Sequence, residues 1–347
     1  MPSITINENK LLILLQELIR IESVNPELIS GGSGEKQISS YLKNYLEKLG
    51  LKTIVQKVSK NRSNIIGIMK GSGDGKSLIL NGHMDTVGIS GMEISPLKAD
   101  LKNGNVYGRG SADMKSGIAA MLSACESILV NHIYLKGDVL LTFVVDEEFK
   151  SIGTERLLES FTAQAAIVCE PTDLKIGLAH KGFVWANVDV FGKAAHGSRP
   201  EEGIDAIIKA GKILSEIEKL DKKKLAGKSH PLLRYPSVHA SVIKGGRELS
   251  TYPDFCRIQM ERRTIPGEDA NTFEEELNEL INKVKMAASE FNAKSKIFFH
   301  RLPLETSKKE SIVKSLNRSI KMVLNQRADF SGISWWMDSA LISEAGI

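Results

Sequence analysis

Cysteine, aromatic residues and long apolar runs are all scarce in this chain. Its three cysteines, Cys125, Cys169 and Cys256, cannot all pair, and each lies in an apolar or strand-like context. That excludes a disulfide-stapled scaffold and points to a reduced, cytoplasmic setting. Apolar runs such as LLILL at 11–15 fall far short of the ~20 residues a membrane helix needs. Gln16, Glu17 and Arg20 break the N-terminal stretch before it could act as a signal peptide. An excess of one charge is lacking too. The 46 Lys+Arg against 42 Asp+Glu leave +4, spread through mixed-sign segments, which is too weak a balance for a nucleic-acid partner. There is no internal repeat and no low-complexity segment. What is present is ordinary globular material, 42% hydrophobic and 25% charged over 347 residues. That is enough chain for roughly two domains and a sizeable core.

Asn9 to Ile21 carries apolar residues at helical spacing, and a second helix follows Gly34 and stops near Gly50. The runs TIVQKV, NIIGIMK and SLILNGH read as strands. The last two flank GSGDGK, which predicts a hairpin or adjacent strands. Ser116 to Asn131 reads as a helix, and DVLLTFVVDEE and AAIVCEPT as apolar strands that end in acids. Helices alternating with fully apolar strands predict an α/β layered domain with a largely parallel sheet. Ligands in such folds gather beyond the carboxyl ends of the strands. From about Lys181 the pattern becomes strand, helix, two strands, helix, strand, the ferredoxin-like βαββαβ order. The expected division is therefore 1–181 with 300–347 as the larger domain and 182–299 as an insertion. The stretch KGSGDGKS imitates a phosphate-binding loop, but Lys70 stands where that motif needs glycine, so it reads as a surface turn.

Four acid-bearing segments carry the candidate chemistry. In NGHMDTV, His83 and Asp85 are two apart on a strand and share a face. The imidazole suits a metal and the carboxylate an orienting partner. In YGRGSADMKSG, Asp113 precedes a helix, where an ordinary helix cap is the alternative. In VVDEEFKSIG, Asp146, Glu147 and Glu148 end a buried strand. They would repel one another without a cation, unless they form a solvated turn. In VCEPT, Glu170 follows a buried strand directly. One histidine and several carboxylates at strand ends form the donor set of a hard-to-borderline divalent site. There are enough carboxylates for one to bridge two ions, and Glu147 and Glu148 can divide the work of general base and ligand.

GHMDTV, GRGSADMKSG, DEE, EPT and GKAAHGSRP, in this order, resemble the co-catalytic metallohydrolases. That family includes acetylornithine deacetylase, succinyl-diaminopimelate desuccinylase, aminoacylase and carboxypeptidase G. The resemblance runs from about Leu11 to the end of the chain. It implies a zinc-peptidase-like three-layer α/β catalytic domain with an inserted ferredoxin-like dimerisation or lid domain. It implies that His83, Asp113, Glu148 and Glu170 are metal ligands, with Asp113 bridging two ions and followed by a cis peptide. It further implies that Asp85 supports His83, that Glu147 is the general base, and that His196 polarises the scissile carbonyl across a homodimer interface. Arg263, in ERRTIPGE, matches the arginine that receives the substrate carboxylate. Ser250, in GGRELS, stands where the family has an asparagine contacting substrate.

The implied cofactor is a pair of divalent ions, zinc first, with cobalt or manganese as alternatives. The family's last ligand, a histidine beyond GISWWMDSALISEAGI, has no counterpart before Ile347. The expectation is therefore a C-terminally truncated version whose second site is incomplete. The implied activity is hydrolysis of an N-acyl amino acid, as in acetylornithine deacetylase. A dipeptidase or carboxypeptidase of the same family, or a catalytically impaired homologue, are the alternatives. Neither nucleic acid nor membrane is expected as a partner.

Overall fold

A computed structural model describes residues 6–288 and 290–347, and the chain divides into two compact units, 6–174 with 337–347 and 175–336. Among the described residues no helix is long and apolar enough to cross a membrane.

The first unit opens with α1 (Glu8–Arg20) and α2 (Lys36–Lys48). The Asn7 side chain caps α1 by accepting from the Lys10 amide at 3.0 Å. Strands β1 (Lys52–Ser59), β2 (Arg62–Met69) and β3 (Leu78–His83) follow, with a small ribbon of β4 (Asp100–Lys102) and β5 (Asn105–Tyr107). Next come α3 (Lys115–Val130), β6 (Val139–Val144), α4 (Ile152–Leu158) and β7 (Ala165–Val168). The sheet order is β1-β2-β6-β3-β7.

β6 is buried on both faces, and its alternation assigns each residue to a layer. Leu141, Phe143 and Val145 pack with Leu14, Leu18, Leu42, Leu46, Ile118 and Leu122 of α1, α2 and α3. Val144 packs on the opposite side with Ile66 and Leu157, and Leu140 with Ile79 and Ala163. The result is the three-layer α/β arrangement.

Two expectations about this sheet are corrected. β2 and β3 flank the glycine turn but are not neighbours, because β6 pairs antiparallel with β2 and parallel with β3. A strand apolar on both faces takes a central place regardless of where a local turn lies. The sheet is also mixed rather than largely parallel: β1–β2 and β2–β6 are antiparallel, β6–β3 and β3–β7 parallel. The parallel trio still carries the carboxyl ends of β3, β6 and β7 to one edge. The turn at 71–76 is structural. The amides of Ser72, Gly73 and Gly75 donate to the carbonyls of Leu135 and Lys136, and that of Gly71 to Asp138 Oδ1, which leaves none of these four for a phosphate.

The second unit contains β8 (Ile176–His180), β9 (Gly182–Phe191), α5 (Ala206–Lys219), β10 (Ser237–Gly245), β11 (Phe255–Thr264), α6 (Ala270–Ala287), β12 (Asn292–Arg301), β13 (Leu304–Glu305), α7 (Ser311–Leu324) and β14 (Phe330–Ile333). β10-β11-β9-β12 form an antiparallel sheet. Val184, Ala186, Val188 and Val190 of β9 face Ile213 and Ile217 of α5 and Phe273, Leu277 and Ile281 of α6. Asp269 and Thr272 close a reciprocal cap at the start of α6. This βαββαβ body matches the expected insertion in element order. The unit also takes in a second sheet, β13-β8-β14, and α7, which the 182–299 boundaries leave out. The chain returns to the first unit for α8 (Ser339–Glu344).

Gly117, in the first turn of α3, sets how close that helix comes to the end of β7. A Cβ there would lie 2.3 Å from the Cys169 carbonyl oxygen. Helix propensity alone favours alanine by about 1 kcal/mol, but a clash with main chain is not relieved by a rotamer. We expect Gly117→Ala to lower stability by about 1–3 kcal/mol despite that propensity. Urea denaturation checks this, and an unchanged or raised midpoint would show that α3 and β7 separate at no cost.

Candidate metal centre

β3 ends on His83, whose ring is fully buried. Its Nδ1 lies 2.9 Å from the Asp85 main-chain oxygen. A carbonyl can only accept, so Nδ1 carries the hydrogen and the Nε2 lone pair is available for a cation. Nε2 points at three carboxylates: Asp113 Oδ1 at 2.9 Å, Glu170 Oε1 at 3.5 Å and Glu147 Oε2 at 4.0 Å. One donor atom each from His83, Asp113 and Glu170 lies within 4.8 Å of the others. Asp113 stands ahead of α3 on a cis Asp113–Met114 peptide. The Met114 sulfur receives the His83 amide at 3.2 Å.

The Asp85 carboxylate has a different task from the one expected. It is 3.6 Å from His83 Nδ1, farther than the Asp85 carbonyl. Instead its Oδ1 accepts the Glu147 amide at 3.1 Å and its Oδ2 the Glu148 amide at 3.2 Å. The carboxylate at the end of β3 thus fixes the main chain just beyond β6. Glu148 Oε1 accepts the Val87 amide at 3.2 Å, which turns its side chain away from Glu147.

Electrostatics mark the cluster as short of positive charge. Burial pushes Glu148 up to about 7. Burial pushes Glu170 up to about 8, with Asp113, Asp338 and Glu148 adding to it against the pull of His83. Burial, then the neighbouring Glu170, Asp338 and Glu148, hold Glu147 well above the ordinary carboxyl range. Burial alone would lower His83, but Glu170, Asp113, Asp85 and Glu147 keep it well above the usual imidazole value. Asp113 and Asp85 move the other way: burial raises each, and the His83 imidazole outweighs it. Among the described residues a mixed nitrogen and oxygen donor set, crowded with carboxyls that hold protons, fits a borderline divalent cation.

Some members of this site were not singled out in the sequence. Asp338 is buried just ahead of α8, accepts from Thr154 Oγ1 at 2.6 Å and is pushed up to about 6 by burial. Asn25, Arg62 and Glu35 are buried as well and reach Asp85 through Asp146. The only local hint was an asparagine before a proline and an acid ahead of a helix.

The second unit holds His196, Ser250 and Arg263. His196 forms a bridge with Thr251, and the Gly197 amide donates to the Ser250 carbonyl at 2.7 Å, so His196 and Ser250 lie on adjoining segments. The Ser198 amide donates to His196 Nδ1 at 3.2 Å. That leaves the hydrogen on Nε2 of an exposed imidazole. Arg263 donates from Nε to Glu261 Oε1 at 2.6 Å and lies over the Phe183 ring. Its neighbour Arg262 points to the opposite face and is buried between Glu268 and Glu276.

The model of peptidase family M20/M25/M40 matches residues 79–347. An uncharacterised metallohydrolase of Methanocaldococcus jannaschii is 30% identical over 96% of this chain and 89% of its own length. Acetylornithine deacetylase of Myxococcus xanthus is 35% identical over 59% of this chain and 54% of its own. The crystal structure of a Staphylococcus aureus tripeptidase superposes with a TM-score of 0.80 at 24% identity, covering 99% of this chain and 88% of that one. The chain belongs to peptidase family M20/M25/M40, metal-dependent hydrolases of amide and peptide bonds.

Proposed function

We propose that this chain is a deacylase, cleaving the amide bond of an N-acyl amino acid. The observation that carries this reading is the convergence of His83, Asp113 and Glu170 donor atoms within 4.8 Å, with the buried Glu147 carboxyl 4.0 Å from His83 Nε2. His83, Asp113 and Glu170 would hold one divalent ion, and Asp113 with Glu148 would contribute to a second; zinc suits these donors, with cobalt or manganese as alternatives. Ions bound there supply Lewis acidity toward a carbonyl oxygen and make a water more acidic. Glu147 then accepts the proton of the attacking water as its oxygen bonds to the amide carbon, and returns a proton to the departing amine as the C–N bond breaks. Asp85 fixes the Glu147 amide and with it the direction of the base. Arg263 receives the substrate carboxylate through its guanidinium fork. In this reading Ser250 offers a single hydroxyl to the substrate.

The reading includes a homodimer built on the 182–299 body, in which His196 of the partner subunit donates its Nε2 hydrogen to the carbonyl oxygen of the scissile amide. The exposed β10 edge and the tautomer of His196 support this. Free cysteines and the absence of a membrane-length helix among the described residues are consistent with a cytoplasmic setting.

A screen of N-acyl amino acids against di- and tripeptides with the zinc-loaded protein tests the substrate. Turnover of the acyl amino acids by at least the larger kcat/KM supports the deacylase, and preference for peptides makes it a peptidase. A loaded protein that turns over neither is an impaired homologue. Glu147→Gln is expected to keep its zinc and lose activity by roughly 10²–10⁴-fold. Near-normal turnover in that variant would remove Glu147 as the base.

Stability should depend on pH in a direction fixed by the raised carboxyls. Glu170 moves from 4.5 up to about 8, so across that window the folded, metal-free chain binds more protons than the unfolded chain. Stability then falls as pH rises. His83, also raised, adds in the same direction above 6.5. Thermal melts of chelator-treated protein from about pH 5.5 to pH 8.5 should decline with pH, and zinc should flatten the decline by taking the protons' place. A metal-free melting point that rises with pH contradicts this account of the cluster.

A further inference from the structure

Five side chains beneath the metal centre form one connected buried chain. Glu35, Arg62, Asp146, Asn25 and Asp85 are each no more than 5% exposed. Arg62 Nε donates to Glu35 Oε2 at 2.9 Å, its Nη2 donates to Glu35 Oε1, and its Nη1 donates to Asp146 Oδ1 at 2.8 Å. Asn25 Nδ2 donates to Asp146 Oδ1 at 3.1 Å and to Asp85 Oδ2 at 2.7 Å. Asn25 Oδ1 accepts the amides of Glu27 and Leu28 at 2.9 and 3.3 Å. Two main-chain donors therefore fix which end of the amide is oxygen, and both remaining hydrogens face the carboxylates.

The chain does more than satisfy buried groups. Asp85 and Asp146 belong to the ends of different strands, β3 and β6, and the Asn25 amide spans them. The Asp85 oxygens also hold the amides of Glu147 and Glu148. Asp146 immediately precedes Glu147 and adopts the left-handed backbone region, φ 72°. It is a residue for which that region is tolerated but not preferred. Without the amide, two buried carboxylates would face each other with no donor between them, and their repulsion would act on the main chain that carries Glu147 and Glu148.

We propose that Asn25, held in place by the Arg62–Glu35 pair, is a positioning residue. By bridging the Asp85 and Asp146 carboxylates it locks the ends of β3 and β6 in the arrangement that the cation and the base require. This rests on the reading of His83, Asp113 and Glu170 as metal ligands. Residues that orient ligands from behind typically cost 10–100-fold in metal affinity or activity when changed, about what one misplaced donor removes.

The test is a zinc titration of the metal-free full chain against a chromophoric chelator, with circular dichroism confirming that each variant is folded. Asn25→Asp keeps the shape and replaces the bridging donor with an acceptor. It should weaken zinc binding by about 10–100-fold and, once zinc-loaded, lower kcat while leaving KM unchanged. Arg62→Lys keeps the charge but cannot fork Glu35 and reach Asp146 together, and should weaken zinc less. A folded Asn25→Asp with unchanged zinc affinity and kcat overturns the proposal. If Asn25→Asp does not fold, unchanged affinity and kcat in Arg62→Lys overturn it instead. His83→Ala separates the two levels. If it loses zinc while the other variants do not, only the positioning role falls. If His83→Ala binds zinc as tightly as the unaltered chain, the metal reading falls and this proposal with it.

Discussion

The first unit depends on one constraint: several carboxylates must remain together, largely out of water, at the ends of three neighbouring strands. Two like charges 4 Å apart repel by about 4 kcal/mol at an effective dielectric of 20, and desolvation adds to that. The fold answers with three kinds of positive partner. Main-chain amides of Val87, Glu147 and Glu148 supply partial charge. His83 supplies an imidazole, and Arg62 a full charge one layer deeper. These do not suffice, which is why Glu170 and Glu148 hold protons near neutrality. The deficit lies where His83, Asp113 and Glu170 converge, and it has the sign and the donor chemistry of a divalent cation.

The two units treat buried charge differently. In the second, Arg262 is enclosed by Glu268 and Glu276, with Lys228 completing the set. Charges there are matched, and Glu268 is held below its usual range: burial raises it, and Lys228 and Arg262 outweigh that. Such a set fixes structure and asks for nothing further. Strand alternation then sends the next residue, Arg263, to the opposite face, where its single close carboxylate partner is Glu261. Adjacent arginines on one strand therefore have separate duties, one set by the core and one left for a ligand.

Much of this was legible in the chain, and what was not has physical reasons. Helical and strand periodicity located α1, α3, β6 and β9, because each buries a defined face. The strand-end histidine and acids could be named because ordered motifs carry them. The β2–β3 hairpin was misjudged because a glycine turn is a local signal, whereas strand order follows from which strand is apolar on both sides. The mixed sheet follows from the same placement of β6 beside β2. Asn25, Glu35 and Arg62 carried no signal, since each owes its place to partners 27 to 121 positions away. Asp85 was named for the right site but tied to the wrong group, because a sequence cannot show that its own carbonyl reaches the imidazole first.

Glu147 shows why the parts of this site are inseparable. A general base must be ionised before it can take a proton, and a useful one titrates near the working pH. Held well above the ordinary range by burial and by Glu170, Asp338 and Glu148, Glu147 in the cation-free chain keeps its proton. An opposite charge within about 4–6 Å favours the ionised form and can move a carboxyl by 1–3 units. The surroundings that make Glu147 inert alone therefore place its titration where a neighbouring cation brings it into the working range. Glu148, pinned to Val87 and less displaced, is poised to ionise first and serve as a ligand. The division between two adjacent glutamates thus comes from their different burial and from the Asp85 carboxylate that holds both their amides, not from any difference in side-chain chemistry.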